Sequence, residues 1–205
     1  MATPAFRGIR GVFPQAHITL MTGTALAPLA KNAPFFDRVW TVPEQFFVRH
    51  RWGALAQVKN TVQRERYDVA FVFHHAREFS IFTAAAGIPH RVGFDRAGDG
   101  FAHTVRVPYG IQVHQVEEYF DLARAAGATG DPGPLYVEID DEARRAADAV
   151  TVSGGFGRAG RPFVVVAPGG GVNAKTRMLT KRWPTEHYAV LLRGLGRDFD
   201  TVLVG

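Results

Sequence analysis

The chain contains no cysteine, which excludes disulfides and thiolate chemistry and leaves His, Asp and Glu as the side chains that could ligate a metal. No stretch approaches the roughly 18 consecutive apolar residues needed to cross a bilayer. The opening Met1 to Arg10 has no apolar core behind its charges of the kind an export signal carries. The charged residues form no long single-sign run, and no basic stripe is interleaved with aromatics, so nucleic acid is not an expected partner. Internal repeats and low-complexity tracts are absent as well. Together these absences predict a cytoplasmic globular protein without a membrane-spanning segment.

What is present supports a real core. The chain has 205 residues, 46% of them hydrophobic and 21% charged, with 16 Phe, 5 Tyr and 3 Trp. That is far more burial than a solvated chain carries, and it suits one large domain or one and a half. Lys and Arg number 24 against 19 Asp and Glu, a net charge of +5 spread along the chain. Such a surface is either merely solvated or drawn to phosphorylated sugars, nucleotides or an anionic membrane face.

Short β-rich runs alternate with helical stretches. Strands are expected at His17 to Thr22, Arg38 to Val42, Tyr67 to Phe73, His90 to Phe94 and Thr104 to Val107. Helices are expected at Ala25 to Asn32, Glu44 to Arg66, Arg77 to Ala86 and His114 to Ala126. This alternation implies crossover units, a mostly parallel sheet and helices on both faces. Asp68 to Phe73 is nearly all apolar, as a strand buried on both sides should be.

From Pro132 the texture changes: an extended Leu135 to Ile139, a helix over Asp140 to Val150, then a Gly-rich linker from Ser153 to Pro162. Phe163 to Ala167 opens a second unit, with Pro184 suited to the first turn of a helix reaching Leu195 and a further strand at Thr201 to Val204. The expected domains are therefore 1–155, and 156–205 as linker plus the beginning of a second domain. Two strands and one helix cannot bury themselves, and a chain of this texture should open on a strand, whereas this one opens on the helix-like Pro4 to Phe13. Incompleteness at both ends is the expectation, with Ile18, Leu20, Val69 and Phe71 left partly exposed for want of a central first strand.

The segment Ala167 to Pro184 carries the most chemistry. Gly169, Gly170 and Gly171 directly after a buried strand let backbone N–H groups approach an anion without a Cβ in the way. The helix start at Pro184 adds partial positive charge, and Lys181 and Arg182 add full charges just before it. The structural alternative is a Gly-rich turn before an ordinary charged helix start. A nucleoside-triphosphatase loop is a poorer match, since Ala174 stands where the second Gly belongs ahead of Lys175 and Thr176, and Pro184 would interrupt the helix that must follow.

Pro168-Gly-Gly-Gly followed by Lys181-Arg-Trp-Pro184 and a helix with Tyr188, Leu191 and Leu192 resembles the donor-domain signature of glycosyltransferase family nine, the lipopolysaccharide heptosyltransferases. Pro14 to Leu20, Asn32 to Val39, Tyr67-Asp-Val-Ala, Gly87 to Gly93 and His114 to Tyr119 agree with that family in order. The resemblance implies a GT-B architecture: a Rossmann-like acceptor-side domain over 1–155 and the start of a donor-side one over 156–205. It implies inverting transfer of heptose from ADP-heptose to a lipid-anchored lipopolysaccharide acceptor, with no cofactor and no metal in the chemistry, at the cytoplasmic membrane face. It implies that Gly169, Gly170, Gly171, Lys181 and Arg182 contact the donor's diphosphate.

The resemblance also implies a catalytic base in a Gly-Asp turn after a first strand, and a second donor loop carrying a His. Neither has a counterpart here, so no catalytic residue is assigned and the chain alone is expected to be inactive. A non-catalytic fragment, or an unrelated Rossmann-like phosphate binder, is the alternative.

His74, His75 and Arg77 follow the buried strand ending at Phe73, at the carboxyl end where open α/β sheets bind ligands. They are candidates to hold phosphate or an acidic sugar of the acceptor, or else a surface cap on the strand. His114, Glu117 and Glu118 open a helix, where acidic residues favour the dipole. His17, His50, His90, His103 and His187 are too scattered for a metal site, and Asp95, Asp99, Asp140 and Asp141 flank turns or a helix start.

Overall fold

The computed structural model describes residues 1–43, 46, 52–110, 113–157, 160–169 and 182–204. The chain divides into two compact units, Met1–Glu138 and Ile139–Gly205.

The first unit opens on helix α1, Thr3–Val12, with Pro4 in its first turn, where a missing N–H costs nothing. Strand β1, Thr19–Gly23, a short helix α2, Ala27–Lys31, and strand β2, Arg38–Val42, follow. Helix α3 spans Trp52–Glu65, and the rest of the helix expected from Glu44 lies mostly outside the described residues. Then come β3, Val69–Val72, α4, Arg77–Ala85, β4, His90–Asp95, β5, Val105–Pro108, and α5, Gln115–Arg124. Every ladder is parallel, as crossover connections require. β1 pairs with β2 from Thr19↔Arg38 to Gly23↔Val42. β4 pairs with β3 from Val69↔His90 to Val72↔Gly93, and with β5 from Val92↔Val105 to Asp95↔Pro108.

Side-chain pattern explains which face each helix buries. α4 turns Phe79 and Phe82 inward, beside Val42, Val62, Val72 and Ile88. Its inward Ser80 and Thr83 return their hydroxyl protons to the carbonyls of Arg77 and Phe79, so the polar atoms stay satisfied. On the other side, Ala5 and Ile9 of α1 meet Phe120 and Ala123 of α5. Gly8 permits that approach, because a Cβ there would stand 3.0 Å from both Ala123 and Phe120. A third cluster of Val92, Phe94, Val107 and Leu122 joins β4, β5 and α5.

Ile18, Leu20, Val69 and Phe71 are half-buried where central strands would be covered. Leu135 to Ile139 forms no strand. This stretch and the prolines ahead of it are tied to α1 instead: Tyr136 N–H donates to Thr3 Oγ1 at 3.0 Å, and Arg7 donates to the carbonyls of Pro132 and Pro134 at 2.9 Å each. The Tyr136 ring packs edge-on to Phe35 at 5.2 Å.

The second unit contains α6, Asp141–Ser153, β6, Phe163–Val166, α7, Thr185–Leu195, and β7, Asp200–Leu203. The sequence reading places α6 in the first domain, whereas its contacts group it with this unit. Asp140 caps α6 by accepting from Ala143 N–H at 2.8 Å. β6 and β7 run parallel, from Phe163↔Asp200 to Val166↔Leu203. Arg161 fastens the pair by donating to the Gly196 carbonyl at 2.7 Å and pairing with Asp200 at 3.0 Å. None of its described residues is fully buried, which is the physical consequence of a two-stranded sheet without a third layer.

Candidate functional site

Chemistry-bearing residues gather at the carboxyl ends of parallel strands in each unit, the end where crossover loops leave space for ligands. In the first unit β3 ends at Val72 and releases His74 and His75. His74 acts locally, its Nδ1 accepting from Ala76 N–H at 3.1 Å, with its ring 4.4 Å from that of Phe79. His75 is placed differently: its ring lies 4.2 Å from Tyr109 and 5.1 Å from Phe94. Its buried Nδ1 has no hydrogen-bond partner among the described residues.

The Arg96 guanidinium lies over the Tyr109 ring at 5.3 Å, within cation–π range. Burial first, and the Arg96 charge second, hold the His75 imidazole below its ordinary pKa. A neutral ring with one unclaimed nitrogen is a hydrogen-bonding group awaiting a partner. Arg77 begins α4 and is exposed. Of the three residues selected from the sequence, His75 therefore buries a ring nitrogen that has no partner among the described residues, His74 caps a turn, and Arg77 is a surface cation.

Tyr109 and Arg96 were missed by sequence reading, although each directly follows the end of a parallel strand, which is the signal that could have found them. The loop carrying Arg96 is built rather than loose. Asp95 Oδ1 accepts from Gly98 N–H at 2.8 Å and Gly100 N–H at 3.3 Å. Ala97 sits at φ 53, and a Cβ at Gly100 would meet the Phe94 carbonyl oxygen at 2.5 Å.

At the start of α5, His114 caps the helix, its Nδ1 accepting from Val116 N–H at 3.3 Å. Glu117 pairs with Arg124 at 3.1 Å. Glu118 is more than the dipole-favouring acid expected: it is buried, its Oε1 lacks a partner among the described residues, and burial, then Asp121, raises its pKa.

In the second unit β6 ends at Val166, and Gly169 follows, exposed, with nothing within 4 Å of where a Cβ would stand. Gly170, Gly171 and Lys181 lie outside the described residues. Arg182 is exposed, and Trp183 next to it rests on His187 and Tyr188 at 5.3 and 5.0 Å between ring centroids. Pro184 is the N-cap of α7, and among the described residues no side chain caps that end. His187 N–H donates to the Pro184 carbonyl at 3.1 Å, and the N–H groups of Thr185 and Glu186 ahead of it have no side-chain cap among the described residues, an arrangement that suits an anion.

The profile of glycosyltransferase family 9 (heptosyltransferase) matches residues 55–205. Lipopolysaccharide heptosyltransferase 2 of Escherichia coli (strain K12) is 26% identical over 219 aligned residues, which cover 100% of this chain and 59% of that protein. The crystal structure of the glycosyl transferase family 9 from Veillonella parvula DSM 2008 superimposes with a TM-score of 0.81 at 21% identity, over 100% of this chain and 57% of that one. The E. coli ADP-heptose lps heptosyltransferase II structure gives a TM-score of 0.70 at 22% identity, covering 100% and 60% respectively. The chain thus spans less than two thirds of the length of these relatives. The structural likeness shows the fold, α/β of the GT-B type.

Proposed function

The chain belongs to glycosyltransferase family 9, and from that premise we propose that it serves heptosyl transfer in lipopolysaccharide synthesis, binding the diphosphate of an ADP-heptose donor through its second unit. In the reaction an acceptor hydroxyl oxygen forms a bond to the anomeric carbon with inversion, the bond to the diphosphate breaks, and the hydroxyl proton passes to a base. The nucleoside diphosphate leaves as an anion, so cations and backbone N–H groups already in place lower the barrier by stabilising charge as it develops. Gly169, Gly170, Gly171, Lys181 and Arg182 form that seat. The observation that supports it is that Gly169 follows the carboxyl end of β6 and the exposed Arg182 precedes the start of α7, both in the second unit.

On the first unit, His75 together with Arg77 and the newly found Arg96 and Tyr109 forms the acceptor side. Arginine guanidinium groups attract a phosphate or acidic sugar, and the neutral imidazole supplies a directional hydrogen bond. His74 supports this cluster by shaping the turn. The acceptor is a lipid-anchored glycan, which would bring the protein to the cytoplasmic membrane face as a peripheral visitor. Among the described residues no helix is long and apolar enough to cross a membrane.

Calorimetric titration of the chain with ADP tests the donor seat. Lys181→Ala and Arg182→Ala should each weaken ADP binding by roughly tenfold or more, the scale of a lost charge-assisted hydrogen bond, while leaving adenosine unaffected. ADP affinity within twofold of the parent in both variants would remove the seat from this segment.

A further inference from the structure

The loop that links β4 to β5 is tied down along its length, yet it leaves an aromatic ring in the open. The Asp99 carbonyl accepts from Ser80 Oγ of α4 at 3.1 Å, the Ala102 carbonyl from Arg91 Nε at 2.9 Å, and the Phe101 carbonyl from the Arg106 guanidinium at 3.1 Å. Phe101 N–H donates to the Gly98 carbonyl at 3.2 Å, and His103 N–H to the Gly100 carbonyl at 2.9 Å. The backbone on both sides of Phe101 is thus fixed. Ala97 is held at positive φ, a conformation that a residue with a Cβ keeps only where its surroundings impose it. Phe101 is nonetheless 54% exposed.

A single exposed apolar side chain is ordinary on a protein surface. The charges around this one are not evenly mixed. Arg96 is exposed on the same loop, and Arg106, whose side chain is 53% exposed, reaches the backbone of Phe101 itself. The nearby acids are drawn back: Asp95 is taken up by the N–H groups of Gly98 and Gly100, and Glu78 and Asp99 are half-buried. The exposed acids Asp37, Glu65 and Asp68 stand ahead of β2 and β3, at the opposite end of the strands. A soluble sugar needs convergent free polar groups, whereas the backbone polar groups of this loop are bonded to one another, to α4 and to Arg91 and Arg106. An aromatic ring beside guanidinium groups, with the carboxylates withdrawn, suits an interface where apolar chains meet anionic headgroups.

We propose that the loop between β4 and β5 is a membrane-contact element, with Phe101 entering the boundary between headgroups and acyl chains of an anionic bilayer and Arg96 and Arg106 meeting its phosphates. The bilayer is the occupant that the charge selects, since guanidinium groups near an anionic surface are attracted over about a Debye length. Because the loop is already fixed, little ordering opposes insertion of the ring. The proposal deepens the membrane-face reading above and rests on it for the choice of an anionic lipid surface. It also links that surface to the acceptor side: Arg96 lies over the Tyr109 ring, and Tyr109 adjoins His75. A glycan still attached to its lipid would therefore emerge from the bilayer beside the cluster that is to hold it.

Co-sedimentation of the chain with lipid vesicles tests it. Vesicles of phosphatidylglycerol and phosphatidylethanolamine should carry the chain down and vesicles of phosphatidylcholine should do so far less, and about 0.5 M salt should weaken the binding. Phe101→Ser should lower the partition coefficient by roughly tenfold, the scale of losing about half a phenyl side chain's burial. Arg106→Gln should lower it by about fivefold. Phe101→Trp, which keeps an interfacial aromatic, should bind like the parent and so separates loss of the ring from loss of the fold. Three outcomes would overturn the proposal: no vesicle binding by the parent, equal partition of the parent and Phe101→Ser, and a parent dimer that Phe101→Ser converts to monomer, which would give the ring to a second copy. The response of His75 to inorganic phosphate tests the acceptor reading separately, since its loss would leave vesicle binding intact and a loss of vesicle binding would leave that response in place.

Discussion

The imidazole of His103 covers the backbone of Gly93, so closely that a Cβ on Gly93 would stand 2.3 Å from His103 Nε2 and 2.5 Å from its Cε1. β4 can therefore bury the ring only because residue 93 has no side chain. Gly93→Ala should displace the ring and destabilise the first unit by roughly 1–3 kcal/mol, the usual cost of overpacking. Urea unfolding measures this, and combining it with His103→Ala should give less than the sum of the two single effects. Full additivity would show that the two residues do not share the space.

The same burial makes stability depend on pH. Burial first, then the nearby Arg91, holds the His103 pKa below its ordinary value, and Arg106 lowers it further against the opposing pull of Asp95. The unfolded imidazole takes up a proton near pH 6.5. Below that pH the unfolded chain binds more protons than the folded one, so stability is full above it and falls as pH drops towards the lowered folded pKa. Urea midpoints taken from pH 7.5 down to 5 should decline, and His103→Gln should flatten the decline. His75, shifted in the same direction, would leave a residual slope, whereas an unchanged slope in the variant would rule His103 out as its source.

Most of the element order was legible because crossover units write their period into the sequence. The strand over Arg38–Val42 and the start of α4 at Arg77 fall where patterning puts them. What patterning could not supply was anything decided by tertiary partners. Leu135 to Ile139 has strand-like composition, but Thr3, more than a hundred residues away, takes the Tyr136 N–H, and Arg7 takes the carbonyls of Pro132 and Pro134 just ahead of the segment. Glu118 reads as a first-turn helix acid, and only packing shows it to be buried. His75 was legible as a residue beyond a strand, but its partners Tyr109 and Arg96 come from separate loops that no local pattern links.

Glu118 gives a prediction of opposite sign. Burial raises its pKa and the neighbouring Asp121 adds to the rise, so the folded state resists the loss of its proton. Its favourable contribution is present at low pH and disappears as pH rises through the folded pKa. Glu118→Gln should therefore make the chain more stable at pH 7, by on the order of 1 kcal/mol, and that gain should vanish near pH 4. A destabilising effect of Glu118→Gln at pH 7 would mean that the carboxylate has a partner worth more than its desolvation costs.

The last prediction concerns the acceptor-side cluster, where one ring nitrogen reports on its neighbours. His75 is held below its ordinary pKa first by burial between Phe94 and Tyr109, then by the Arg96 charge. Arg96 is exposed on its loop, so Arg96→Ala removes the charge without opening the core. NMR titration of the His75 ring protons should show the pKa move upward in Arg96→Ala yet remain below that of an exposed histidine, because the larger cause is untouched. Inorganic phosphate should raise the His75 pKa in the parent, since a bound anion favours the imidazolium, and should do so much less in Arg96→Ala, where the attracting guanidinium is gone. A His75 pKa indifferent to both phosphate and Arg96→Ala would separate the ring from the cation and leave it a packing residue rather than part of an anion site.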